Sequence, residues 1–228
     1  NTFLISGLTI LFGFPAPIIL ALMINEVKNS AFKRTVQTIT YMPYFISMVV
    51  LCGLLKTFCM QDGLFAQIAV LFGGKAQNYL ANPAYFRTIY VLSDIWSGIG
   101  WNSIIYLAAL SSIDQEQYEA ARVDGANRFE QMIHITLPGL VPTIMVLFIL
   151  RMGNILNVGY EKILLLYNSA TYSTADVIST YIYRQTFAIA LPNYGYSTAV
   201  GLFKSLVGCV LVLICNWASK KTRGRGIV

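Results

Sequence analysis

Apolar and polar positions alternate along this chain in long blocks. Five runs, at about residues 3–24, 38–58, 86–110, 140–157 and 196–217, are almost continuously apolar. Each is near the length of about 20 helical residues that a bilayer core demands, so each is a predicted transmembrane helix. Pro15 and Pro17 fall inside the first run and Pro43 early in the second. They predict kinks, which membrane helices tolerate when neighbours satisfy the freed carbonyls. Residues 60–85 hold the turn formers Gly63, Gly73, Gly74, Asn78, Asn82 and Pro83 around a short apolar stretch at 64–72, expected on the membrane surface or against the bundle. Residues 158–194 form the longest non-spanning segment, rich in Tyr, Ser, Thr and Asn, with a helical pattern over 175–187.

Between the third and fourth runs lies a polar island, residues 118–138, the part expected to meet a partner. Asp114 stands ahead of Glu116 and Gln117 as an N-cap stands before an acidic first turn. Helix formers continue through Glu119, Ala120, Ala121 and Arg122 to Gly125, which predicts a stop or bend. In residues 127–136, Phe129, Met132 and Ile133, followed by Leu137, recur at three- and four-residue steps, leaving Arg128, Glu130 and Gln131 to face water. The predicted form is a short helix, a glycine bend and an amphipathic helix ending at Pro138.

Composition sharpens the class. Hydrophobic residues make up 56% of the chain and charged ones 11%, with a mean hydropathy of +0.61. A soluble domain carries about 25% charged residues, so this is an integral membrane protein. The net charge of +6 does not indicate nucleic acid, because the basic residues sit beside apolar spans and not on one aromatic or amphipathic surface. The same residues orient the chain. Lys28, Lys33, Arg34, Arg122, Arg128, Lys220, Lys221, Arg223 and Arg225 all reach one side when the C-terminal tail is cytoplasmic. Five spans then place Asn1 outside. The first run has no basic leader or initiator Met before it and does not read as a signal peptide. The economical expectation is one further span before Asn1, six in all.

Ionisable groups inside the runs are expensive in hydrocarbon and tend to face a bundle interior or a wet cavity. Asp94, Arg151 and Lys204 are such groups; Asn102 and Asn154 add hydrogen-bonding capacity, and Tyr106 and Tyr160 add aromatic faces. These seven residues are the candidate translocation path. The alternative is that Asp94 pairs with Arg151 or Lys204 merely to fix helix packing, or with Arg151 at an interface with another subunit. No GxxxxGK[ST] phosphate loop occurs, so the chain has no means of holding ATP in that way. His134 is the one histidine and has no second metal ligand near it in sequence. Cys52, Cys59, Cys209 and Cys215 read as small buried apolar residues within or at the edges of spans.

Glu119-Ala120-Ala121, Gly125 and Ile135-x-Leu137-Pro138 match the gapped "EAA" loop without departure. Here the chain resembles the membrane subunits of ATP-binding-cassette (ABC) importers, the binding-protein-dependent permeases. Asn25-Glu26, Tyr41-Met42-Pro43, Asn157-Val158-Gly159-Tyr160-Glu161 and Leu164 to Asn168 resemble the branch that imports oligosaccharides or polysaccharide fragments. The resemblance implies an all-α, polytopic bundle of the type I, MetI-like kind, one transmembrane domain over 1–228 with a coupling loop at 111–138. It implies ATPase coupling through Glu119, Ala120, Ala121, Asp124, Gly125, Ile135, Leu137 and Pro138. A second permease, two cytoplasmic ATPase subunits and an extracytoplasmic solute-binding protein are the implied partners. ATP and magnesium belong to the ATPases, no cofactor or metal to this chain, and the location is a prokaryotic cell membrane with a cytoplasmic C-terminus. An ABC permease for amino acids or peptides is the alternative within the class; a secondary transporter or channel is the alternative outside it.

Overall fold

The computed structural model describes residues 1–188 and 192–223. Helices connected by turns make up the described chain: α1 Thr2–Glu26, α2 Ser30–Tyr41, α3 Met48–Cys59, α4 Leu64–Leu71, α5 Pro83–Ser111 and α6 Gln115–Val123. After these come α7 Arg128–Gly153, α8 Tyr160–Leu166, α9 Tyr172–Ala175, α10 Ile178–Phe187 and α11 Tyr194–Arg223. By length and composition α1, the α3–α4 stretch Met48–Leu71, α7 and α11 are able to cross a membrane. The third predicted run falls on α5, whose 29 residues are long enough but carry Arg87 and Asp94.

Two boundaries differ from expectation. The run at 38–58 is not one helix: it begins inside α2, passes a 3-10 turn at Met42–Phe45 and resumes at α3. Pro43 has no N–H to continue the ladder, Ile46 and Ser47 are extended, and the Ser47 hydroxyl accepts from the Val50 amide to start α3. The second helix of the polar island does not end at Pro138 either. It runs unbroken to Gly153 because a π turn at Met132–Thr136 widens the ladder just ahead of the proline. α1 uses the same device, a π turn at Thr9–Gly13 before Pro15 and Pro17.

α5 is the central pillar. Toward its start, Phe86, Tyr90 and Val91 pack with Ile5 of α1, Leu51, Cys52 and Leu55 of α3, and Ile163 and Leu166 of α8. Phe86 is fully buried there. Toward its end, Tyr106 and Leu110 pack with Ala21 of α1 and Leu140 of α7. Between these clusters α2 crosses so closely that a Cβ on Gly100 would lie 2.0 Å from the Thr40 carbonyl oxygen, so only glycine fits. Cys52 and Cys59 are buried as expected, whereas Cys209 is exposed on α11. Little of α11 is covered, and Leu202, Phe203, Leu206, Leu213 and Trp217 all face outward.

The end of the bundle opposite the polar island is tied by polar contacts. Arg87 donates to the Asn1 side chain at 2.7 Å, Asn1 donates to the Ser173 and Asp176 carbonyls at 3.0 Å, and the Ile178 amide donates to the Thr2 hydroxyl at 3.0 Å. Ser6 also donates to the Ile155 carbonyl. The helical pattern over 175–187 breaks at Asp176 and Val177, because Asp176 turns its carboxylate to a fork from Arg184 at 2.7 and 2.8 Å. Burial by itself would raise the Asp176 carboxyl. The hydrogen bonds from Arg184 and Thr180, with the Arg184 charge, outweigh burial and hold it below the usual carboxylate range.

Candidate functional site

Three helices enclose a polar cavity of about 190 Å³. Thr9, Gly13, Phe14 and Pro17 come from α1, Asp94, Gly98, Asn102 and Tyr106 from α5, and Leu147 and Arg151 from α7. The four α5 residues stand at steps of four, which stacks them on one helix face. On α7, Leu147 and Arg151 repeat that spacing. The cavity therefore gathers Asp94, Asn102, Tyr106 and Arg151 from the candidate path. It does not gather the other three. Asn154 is exposed and turns back to the Leu150 carbonyl at 3.1 Å. Tyr160 is exposed, its ring 6.4 Å from that of Tyr183. Lys204 donates to the Ser179 hydroxyl at 2.8 Å.

Asp94 pairs with neither Arg151 nor Lys204. Its partner is Lys162 of α8, whose ammonium lies 3.5 Å from the carboxylate. Lys162 is buried and also donates to the Tyr90 carbonyl at 3.1 Å, with its charge 4.6 Å from the Tyr90 ring centre. A buried ammonium needs this much compensation to remain charged. Sequence reasoning passed over Lys162 because it sits in the segment taken as non-spanning. The signal was a single cation opening the apolar string Ile163 to Leu166.

A larger cavity of about 560 Å³ lies elsewhere, between α3, α4 and α5. Leu51, Leu55, Phe58, Phe65, Leu92 and Trp96 make it mostly apolar, with Thr88 and Ser93 among the few polar side chains on its wall, so it suits a polar solute poorly and is not the candidate site.

The polar island is the second functional element. Asp114 accepts from the Glu116 amide at 3.0 Å and starts α6, as its position predicts. Gly125 has φ +83°, the left-handed conformation that only glycine adopts without strain, and among the described residues, its two chain neighbours aside, nothing lies within 4 Å of where its Cβ would be. Asn127 then caps α7: its side chain accepts from the Phe129 and Glu130 amides, and Glu130 returns to the Asn127 amide at 2.7 Å. The Tyr118 and Thr136 hydroxyls, 3.0 Å apart, join the two limbs. Glu119, Ala120, Asp124, Gly125 and Pro138 are exposed; Ala121, Ile135 and Leu137 are half-buried. Val123 and Phe129 are 88% and 65% exposed, so the loop presents apolar as well as charged side chains on its surface. A hollow of about 430 Å³ lies alongside, lined by Ala121, Asp124, Gly125, Glu130, His134 and Ile135. His134 Nδ1 is 3.0 Å from the Glu130 carbonyl, and no cluster of metal-ligating side chains occurs among the described residues.

Residues 13–224 match the family described as binding-protein-dependent transport system inner membrane component. The chain is 44% identical over 228 residues to the protein LplB of Bacillus subtilis (strain 168), covering all of this chain and 71% of that one. It is 43% identical to the polygalacturonan/rhamnogalacturonan transport system permease protein YteP of the same organism, covering 100% and 70%. It also superposes, with a TM-score of 0.95 and 48% identity, on a chain of a bacterial alginate ABC transporter in complex with an alginate pentasaccharide-bound periplasmic protein, covering 100% of this chain and 78% of that chain.

Proposed function

Since this chain belongs to the family of binding-protein-dependent transport system inner membrane components, we propose that it is one of two permease subunits of an ATP-driven importer for a saccharide cut from a polysaccharide. It is a multi-pass inner-membrane transport protein and not an enzyme. Hydrolysis of ATP, with its magnesium, takes place on two cytoplasmic ATPase subunits. The exposed loop from α6 to the start of α7 docks on one of them through Glu119, Ala120, Ala121, Asp124, Gly125, Ile135, Leu137 and Pro138. A solute-binding protein delivers the sugar to the opposite end, where α8, α9 and α10 are tied together. The polar cavity among α1, α5 and α7 forms this subunit's share of the path, with Asp94, Asn102, Tyr106 and Arg151 facing the solute.

The observation that carries this reading is the pairing of two unlike surfaces on α7. Its first turns form the capped, partly apolar loop surface and its later turns bear Arg151 in the cavity, so one continuous helix joins the loop surface to the cavity. Energy from ATP-driven closure shifts the inward and outward states only through contacts that differ between them, and a helix engaged at both ends is placed to carry such contacts.

The test is ATPase activity and uptake by the assembled complex in proteoliposomes, with its binding protein and a panel of saccharides, peptides and amino acids. Stimulation by a saccharide is expected. Stimulation only by peptides or amino acids overturns the sugar assignment, and failure to assemble with any ATPase subunit overturns the importer assignment.

A further inference from the structure

Two charged side chains line the polar cavity, Asp94 and Arg151, and they are not equivalent. Asp94 is already answered by Lys162 at 3.5 Å. Only 2% of the Lys162 side chain is exposed, so that ammonium cannot swing out into water and leave the carboxylate alone. Arg151 is exposed and makes no ion pair among the described residues. Asp94 apart, the groups lining the cavity with it are neutral: Leu147 on its own helix, Phe14 and Pro17 on α1, Asn102 and Tyr106 on α5. The buried pair cancels and the guanidinium remains, so the cavity carries one positive charge in excess.

A guanidinium in such a recess presents a fixed fork of N–H donors that matches a carboxylate with two parallel hydrogen bonds. A sugar hydroxyl meets it with one bond and no opposite charge. We propose that Arg151 is the specificity-determining residue of the path and that it favours saccharides bearing carboxylates, the uronic acids, over neutral ones. Lys162 acts as a positioning residue: by holding Asp94, it keeps that carboxylate from pairing with Arg151 or repelling the solute. The proposal rests on the reading that this cavity lies on the translocation path.

The test uses the full complex in proteoliposomes at saturating binding protein, with a uronic-acid oligosaccharide and its carboxyl-reduced, neutral counterpart. Sugar imported per ATP hydrolysed is the readout, since damage to folding or assembly lowers uptake and ATPase activity together. Wild type is expected to import the uronate. Arg151→Gln is expected to lower uronate import per ATP by about ten-fold, the scale of one charge-assisted hydrogen bond. Arg151→Lys, which keeps the charge and loses the fork, should fall between. Equal import per ATP in wild type and Arg151→Gln overturns the proposal. So does import of the neutral sugar in preference to the uronate by wild type, an outcome that leaves the saccharide-importer reading intact. No response of wild type to either sugar, with a response to peptides or amino acids, instead overturns that broader reading.

Discussion

The Lys162 ammonium and the Asp94 carboxylate lie 3.5 Å apart across the α8–α5 contact, one side chain 2% exposed and the other 38%. The asymmetry decides what each member does when its partner is removed. Asp94→Asn strands a buried ammonium and is expected to destabilise the subunit by about 3 kcal/mol, at the low end for a broken buried pair because a Tyr90 carbonyl still accepts from Lys162. Lys162→Met leaves a carboxylate that still reaches the cavity and costs less. The double variant should recover part of the loss. Thermal unfolding of the detergent-solubilised complex checks the order; a larger loss for Lys162→Met than for Asp94→Asn overturns it.

At the bend of the polar island the constraint is on the backbone. Gly125→Val forces a branched side chain into φ +83°, where a non-glycine residue costs about 1–2 kcal/mol. Membrane insertion should be unchanged while sugar-stimulated ATPase activity and uptake fall together. Gly125→Trp is expected to block uptake, since it adds bulk on the exposed face proposed to dock on the ATPase. Normal transport by the tryptophan variant would remove this loop from the coupling role.

The start of α7 depends on Asn127. Replacing it with alanine removes the acceptor for two amides and should cost about 1 kcal/mol locally. Hydrogen exchange at Phe129 and Glu130 should accelerate, with that of α5 unaffected. Unchanged exchange at the cap would contradict the assigned geometry.

The fork between Arg184 and Asp176 predicts a pH dependence at the other end. The folded Asp176 carboxyl ionises below its ordinary value, so its stabilising contribution is present above that ordinary value of 3.8 and is lost as pH falls through the lower, folded one. Wild type should therefore hold this end together from neutral pH down to the ordinary carboxylate range and lose it only in stronger acid. Asp176→Asn removes that dependence. Limited proteolysis between α8 and α10 across an acid series distinguishes them, and identical curves would count against the pair.

Close packing gives a fifth expectation. Gly100→Ala places a methyl against the Thr40 carbonyl, which is backbone and cannot yield, so α2 must move from α5. A loss of about 1–3 kcal/mol is expected, as for overpacking a tight site. Retained melting temperature would show that α2 is free to shift.

The membrane class, the helical content and the local form of the polar loop, a helix, a glycine bend and a second helix, were legible in the sequence because each depends on local pattern. Apolar runs of bilayer length need no knowledge of neighbours, and Asp114, Gly125 and Asn127 act within a few residues of themselves. The expectation about the C-terminal cations falls partly outside the described residues, since Arg225 lies beyond 223. What the sequence left open was every long-range choice. Pro43 and Pro138 look alike as helix breakers, yet a π turn carries the chain past Pro138 while no such turn precedes Pro43. Asp94 had two plausible partners inside the predicted spans, and the fold supplied a third from α8, sixty-eight residues away. Nothing in the sequence told Tyr160 and Lys204, which do not line the cavity, from Asn102 and Arg151, which do. Tertiary structure separated them, because which face of a helix meets a cavity is set by the rotation of that helix against its neighbours, and apolar sequences alone specify that rotation poorly.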